Sequence, residues 1–149
     1  MEERLNKNTE YYKICRNTIL PLNTPLHTKD FIKNDQQSNS KQSSEEPFEQ
    51  YRLKYCPDKP SRENFFICSK LDVPMWIKKL TRGRGPLKVF RLELTGKVFW
   101  ADSTYYDQEP NPSKYWAGCS KDDKEAVIEG IFIGEVKAIE DCTNQFKFS

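Results

Sequence analysis

"PLKVFRLELTGKVFWAD", residues 86–102, is the stretch on which the fold class turns. Phe90, Leu92 and Leu94 alternate with Val89, Arg91 and Glu93, the period of two that a half-buried strand requires. Beyond Thr95-Gly96 the apolar residues resume, so the stretch reads as a strand pair or as one strand bent at "TG". Downstream, "IFIGEVKAIED" (131–141) places Phe132, Val136 and Ala138 on one face, with Gly134 at a candidate bulge. Upstream, "EYYKICR" (10–16) and "NFFICS" (64–69) are rich in aromatic and β-branched residues and read as further strands.

One helix stands out among them. In "LDVPMWIKKLTRGRG" (71–85), Val73, Trp76, Ile77 and Leu80 fall on one face, and Pro74 sits in the first turn, where its missing N–H costs nothing. Asp72 is the expected N-cap. Lys78, Lys79 and Arg82 suit the C-terminal end of the helix dipole, and Gly83 can close the helix. "TILPLNTPLHT" (18–28), with two prolines, suits an extended loop. "KNDQQSNSKQSSEE" (33–46) has no apolar residue and reads as a flexible excursion. A short helix or strand is expected around Tyr51–Tyr55, then a turn at "CPDKPS". Strands and helices do not alternate regularly. The expectation is therefore a single α+β domain over residues 1–149, built on a small, mostly antiparallel sheet.

Composition narrows the function. The chain has 149 residues, 36% of them hydrophobic and 31% charged, with a net charge of +2. That balance is too near neutral to argue for nucleic acid by charge alone. No apolar run approaches the roughly 20 residues of a membrane span, and "MEERLNKNTE" lacks a signal-peptide core, so a cytoplasmic protein without membrane contact is expected. The five cysteines include no Cys-x-x-Cys pair, and His27 is the only histidine. Neither a disulfide framework nor a metal site is suggested. Buried, inert thiols are the ordinary reading of such cysteines.

Four stretches hold residues with chemical potential. "ADSTYYDQEPNPSKYW" (101–116) sets Asp102 and Asp107 around Tyr105 and Tyr106, with Tyr115 and Trp116 beyond two prolines that interrupt any strand or helix. It reads either as a turn with an aromatic lid, or as flat faces for a planar ring beside a carboxylate. The second arrangement suits a reacting centre that turns positive, such as a ribosyl oxocarbenium ion. "DDKEAVIEG" adds Asp123, Glu125 and Glu129, the first two on one face if the chain is extended, or else a charged turn. Arg52 and Arg62, in "QYRLKY" and "PSRENFF", are candidate anion forks. The basic stretch 78–88 reads as a solvated helix end or as a phosphate site.

In order along the chain, "YYKIC" (11–15), "NFFICSKLDVPMW" (64–76), "GRG" (83–85), "ELTG" (93–96), "DSTYYD" (102–107), "NPSKYW" (111–116) and "KEAVIEGIFIGEVKAIE" (124–140) resemble the rifampicin ADP-ribosyltransferases. These are small bacterial members of the ADP-ribosyltransferase superfamily. The resemblance covers most of the chain outside residues 33–50. It implies a split sheet holding NAD+ as substrate in its cleft. Nicotinamide would leave, and ADP-ribose would pass to a small molecule, a protein, a nucleic acid or water. The family's histidine position falls on Lys13, its tyrosine on Phe66 and its aspartate on Asp107, so only the last is kept. Lys13 still donates hydrogen bonds, and Phe66 keeps a stacking face. By the resemblance, Asp107 would face the developing positive charge, with Glu125 as a rival by analogy with the late glutamate of other superfamily members. Lys13, Tyr12, Arg52, Arg62, Phe66 and Tyr105 would hold the dinucleotide. Two changed positions out of three leave a catalytically silent nucleotide- or protein-binding member as the alternative. A nucleic-acid-binding domain led by residues 78–88 is the third reading.

Overall fold

The bent strand at 86–102 is one continuous element. A computed structural model of the chain describes residues 2–16, 19–31, 39–80 and 86–146, with backbone alone over 39–44. Its strands are β1 (Glu2–Arg16), β2 (Leu26–His27), β3 (Phe65–Ser69), β4 (Leu87–Asp102) and β5 (Ile128–Asp141). Its helices are α1 (Asn39–Tyr55), α2 (Val73–Leu80), α3 (Thr104–Asp107) and α4 (Pro112–Ala117). The protein is thus an α+β domain on a five-stranded sheet with order β2-β5-β3-β1-β4, whose strand ladders are all antiparallel. A further pairing of β5 with β4 closes the sheet on itself. Among the described residues, no helix is long and apolar enough to cross a membrane.

The period of two in β4 explains the closure. Phe90, Leu92 and Leu94 turn inward and meet Tyr11, Phe65, Phe132 and Val136 in the barrel core. Each large apolar side chain buried there is worth about 1.5–3 kcal/mol. Val89, on the opposite face, is also fully buried, because α2 covers that end with Val73 and Ile77. Its neighbours Arg91 and Glu93 stay near solvent and pair across the ladder with Glu140 (3.0 Å) and Lys137 (3.5 Å). Further along β4, Phe99 is covered by Trp116 of α4 and Phe48 of α1.

Several local expectations are corrected. A 3-10 turn at Lys70–Asp72, with Ser69 at its own N-cap position, leads directly into α2 at Val73, so Asp72 ends that turn immediately before the helix. Ser69 Oγ donates to Asp72 Oδ2 at 3.1 Å. The Gly83 closure and the "GRG" motif lie outside the described residues, as do Arg82 and Arg84. Of the polar excursion 33–46, residues 39–46 are helical, because α1 is anchored further on by buried Phe48. Residues 33–38 lie outside the described residues. Pro112 starts α4 rather than interrupting a helix, and Asn111 caps it by accepting from the Lys114 N–H at 3.1 Å.

Gly134 is not a bulge. It pairs in register with Gly96, and the irregularity in this ladder falls between Arg91 and Leu92. The two glycines let β4 and β5 press backbone against backbone: a Cβ on Gly134 would lie 2.3 Å from the Thr95 carbonyl oxygen. Gly134→Ala is expected to cost about 3 kcal/mol of unfolding free energy in urea titration. An unchanged midpoint would show that the crossing is looser than described.

Candidate functional site

β1 follows β4 over most of its length, yet it pairs with β3 at only Tyr11–Ser69 and Tyr12–Cys68. Past that point the two strands part. Lys13 and Ile14 on one side, and Phe66 and Ile67 on the other, flank the opening, and Trp76 and Leu80 of α2 form a wall. Arg62 and Glu129 complete a cleft of about 270 Å³. That is just under the usual 300–1,000 Å³ of a ligand pocket, room for one nucleoside-sized group.

Lys13 sits where the ladder ends. Its ammonium donates to the Phe66 carbonyl at 3.0 Å and lies 4.2 Å from the centre of the Phe65 ring. Among the described residues no carboxylate pairs with it. Burial therefore holds its pKa below the ordinary lysine value, with the Cys15 and Cys68 thiols only partly opposing the shift. Those thiols are poor nucleophiles. Burial, then Asp72, pushes Cys68 up to about 12, and burial raises Cys15 as well.

Arg62 arrives on the turn before β3, where the Asn64 N–H donates to the Ser61 carbonyl at 3.1 Å. Its guanidinium carbon lies 3.6 Å from the centre of the Tyr106 ring and 5.1 Å from the centres of both Phe66 and Tyr115. Its Nε donates to Glu45 of α1 at 3.0 Å, and its Nη1 donates to Tyr115 Oη and to Glu129 Oε2. Burial alone would lower its pKa. Glu129, followed by Tyr115, Glu45 and Tyr106, outweighs that and raises it, so Arg62 is a permanent cation.

The cleft unites Tyr12, Lys13, Arg62 and Phe66, all expected to hold the dinucleotide, with Glu129, which the sequence also singled out. The remaining candidates lie elsewhere. Asp107, at the end of α3, is 3.8 Å from Lys79 of α2 and does not line the cleft. Tyr105 packs with the Phe48–Trp116 cluster, the Lys114 ammonium 5.3 Å from its ring centre. Arg52 is committed to Glu49 at 2.7 Å and to the carbonyls of Pro57 and Lys59, closing the turn after α1. Glu125 is exposed on a turn, because Asp123 Oδ1 accepts its N–H at 3.0 Å and the chain is not extended there. Asp102 is a turn former whose Oδ1 accepts from Thr104 and Val127.

The carboxylate in the cleft is Glu129, 8% exposed. Its signal in the sequence is a lone charge inside "VIEGIFIG", an otherwise apolar strand. Trp76 and Tyr106 carry no comparable signal, since their positions depend on how α2 and α3 dock. In the basic stretch, Lys79 and Lys88 are paired with Asp107 and Asp141, each at 3.8 Å, which weakens its claim as a phosphate or nucleic-acid surface.

A family model described as Protein of unknown function (DUF2441) matches residues 2–144, and the chain belongs to that family. No curated protein matches it significantly.

The desolvated lysine has a measurable consequence. Folded Lys13 binds its proton less readily than the unfolded chain does, so the folded state gains stability as pH rises toward the ordinary lysine value of 10.5. Urea unfolding of wild type and Lys13→Met, compared at rising alkaline pH, is expected to show wild type gaining on the variant as the pH climbs toward 10.5. A difference independent of pH would mean that the ammonium is as well solvated as a surface lysine.

Proposed function

We propose that this member of the DUF2441 family is an ADP-ribosyltransferase-like protein. It takes the nicotinamide-ribose end of NAD+ into the β1–β3 cleft and transfers ADP-ribose to an acceptor. One juxtaposition carries the reading: Lys13, Phe66 and a carboxylate, far apart along the chain, line the same cleft. The carboxylate is Glu129, in place of Asp107 or Glu125. The residues fit the group in kind. Lys13 is a cation with no carboxylate of its own among the described residues, suited to a diphosphate or ribose oxygen. Phe66 and Trp76 offer faces to a planar ring. The size of the cleft leaves the adenosine half of the dinucleotide outside it.

In the reaction, the bond between ribose C1′ and the nicotinamide nitrogen breaks, and its electron pair leaves with nicotinamide. C1′ then accepts a lone pair from the acceptor, whose proton passes to a carboxylate or to water. Glu129 supplies negative charge beside C1′ while that carbon is electron-poor. One preorganised charge of this kind is worth roughly 3 kcal/mol of barrier, about a hundredfold in rate.

A second reading, a silent nucleotide binder on the same fold, is favoured by one observation. Glu129 Oε2 is already engaged by Arg62 and Tyr115. Titration calorimetry with NAD+ and an assay for nicotinamide release separate the two. Binding with release is expected, with Glu129→Gln slowing release about a hundredfold and Asp107→Ala leaving it within about threefold. Binding without release supports the silent binder. Absence of both removes NAD+ from the cleft.

A further inference from the structure

Glu129 has two oxygens in different surroundings. Oε2 accepts from both Tyr115 Oη and Arg62 Nη1, while among the described residues no donor reaches Oε1. Among the described residues Oε1 is not a fully buried atom lacking a partner, and Glu129 lines the cleft. We infer that Arg62 and Tyr115 are positioning residues, which fasten one oxygen of Glu129 to the protein and so present the other to the ligand. This rests on the proposed function for its catalytic meaning, though not for its geometry.

Each partner is itself held from several sides. Tyr115 is fully buried on α4, its ring edge-on to Phe48 at 5.5 Å and to Trp116 at 4.9 Å. Burial first, then Glu129, raises the pKa of its hydroxyl well above the ordinary value, so it remains a donor at any working pH. Arg62 is fixed by the Tyr106 face and by Glu45. A side chain with three constrained contacts has little freedom to follow Glu129, so the carboxylate adapts to its partners and not the reverse. Glu45 lies on α1, Tyr115 on α4 and Arg62 on the turn before β3, so three separate elements set the direction of one carboxylate. The same cluster also looks like an ordinary buried ion pair that joins helices to barrel. The asymmetry between the two oxygens distinguishes the alternatives, because a purely structural pair has no need to leave one of them open to a cleft.

The test is Tyr115→Phe, which removes one hydroxyl and keeps the ring. Crystal structures of wild type and variant form the first arm. With Tyr115 Oη gone, Arg62 is expected to take both oxygens of Glu129 and draw Oε1 out of the cleft. An unmoved carboxylate overturns the inference. Kinetics form the second arm: kcat for nicotinamide release should fall about tenfold with KM for NAD+ unchanged, the loss of one hydrogen bond to a charged group. A drop in KM and kcat together, or none in kcat, overturns it as well. If wild type itself releases no nicotinamide, the proposed function fails and the first arm alone decides the positioning role. Should Tyr115→Phe not fold, Arg62→Gln replaces it: Glu129 is expected to shift toward Tyr115 and kcat to fall with KM unchanged, and an unmoved carboxylate or an unchanged kcat overturns the inference.

Discussion

The ladder between β1 and β3 lasts for two residue pairs and then stops, and the rest of the site follows from that interruption. Elsewhere the barrel is sealed, since β4 pairs with β1 on one side and with β5 on the other over most of its length. A sealed barrel of this size has an interior filled by side chains and no room for a ligand. Where β1 and β3 separate, backbone groups lose their strand partners, and buried carbonyls need donors. Lys13 answers that need by donating to Phe66, which brings an ammonium to a place otherwise lined by rings and aliphatic chains. Helix α2 then covers the gap from outside, held by the Trp76 indole donating to the Ile128 carbonyl at 3.0 Å and by the Arg16 guanidinium at the Leu80 carbonyl.

Two kinds of charge pair occur, one in the cleft and one outside it, and their energetics differ. Arg62 and Glu129 are withdrawn from water, where an unpaired ion would cost several kcal/mol. They are tolerated because Arg62 has two carboxylates, a phenol and a ring face, while Glu129 has two donors on one oxygen. Removing Arg62 or Glu129 would leave the other as a stranded buried charge. The pair Lys79–Asp107 is different. At 3.8 Å and largely solvated, it contributes within about 1 kcal/mol and can open at little cost.

Much of the architecture is legible in the sequence because it obeys simple periods. Alternation in residues 87–94 and the helical face of Val73, Ile77 and Leu80 both reappear as burial. Where the structure departs from those periods, the cause is tertiary support for locally poor sequence. "EERLNKNTE" (2–10) is polar, yet it is strand, because β4 offers it a backbone ladder and Leu5 anchors it in the core. Residues 39–46 are helical because Phe48 docks below Trp116, whose indole donates to the Phe48 carbonyl at 2.9 Å. In the site, Arg62 is marked by turn chemistry at a strand start, whereas Tyr12, Lys13 and Phe66 are pointed to only by the resemblance to the ADP-ribosyltransferases. Asp107 and Glu125 stand out ahead of Glu129 because neighbours in sequence draw attention to them, whereas Glu129 is defined by neighbours in space.

The chain's own letters therefore determined which segments could bury a face, and hence an α+β domain on antiparallel strands. Apolar periodicity is a local property, written into adjacent residues and read without knowing what they will touch. The tertiary structure alone decided where the barrel would open, which carboxylate would line the opening, and which of its two oxygens Arg62 and Tyr115 would hold. Those outcomes depend on distances between residues 53 and 67 positions apart along the chain, such as Lys13 with Phe66 and Arg62 with Glu129, and only packing brings such residues together.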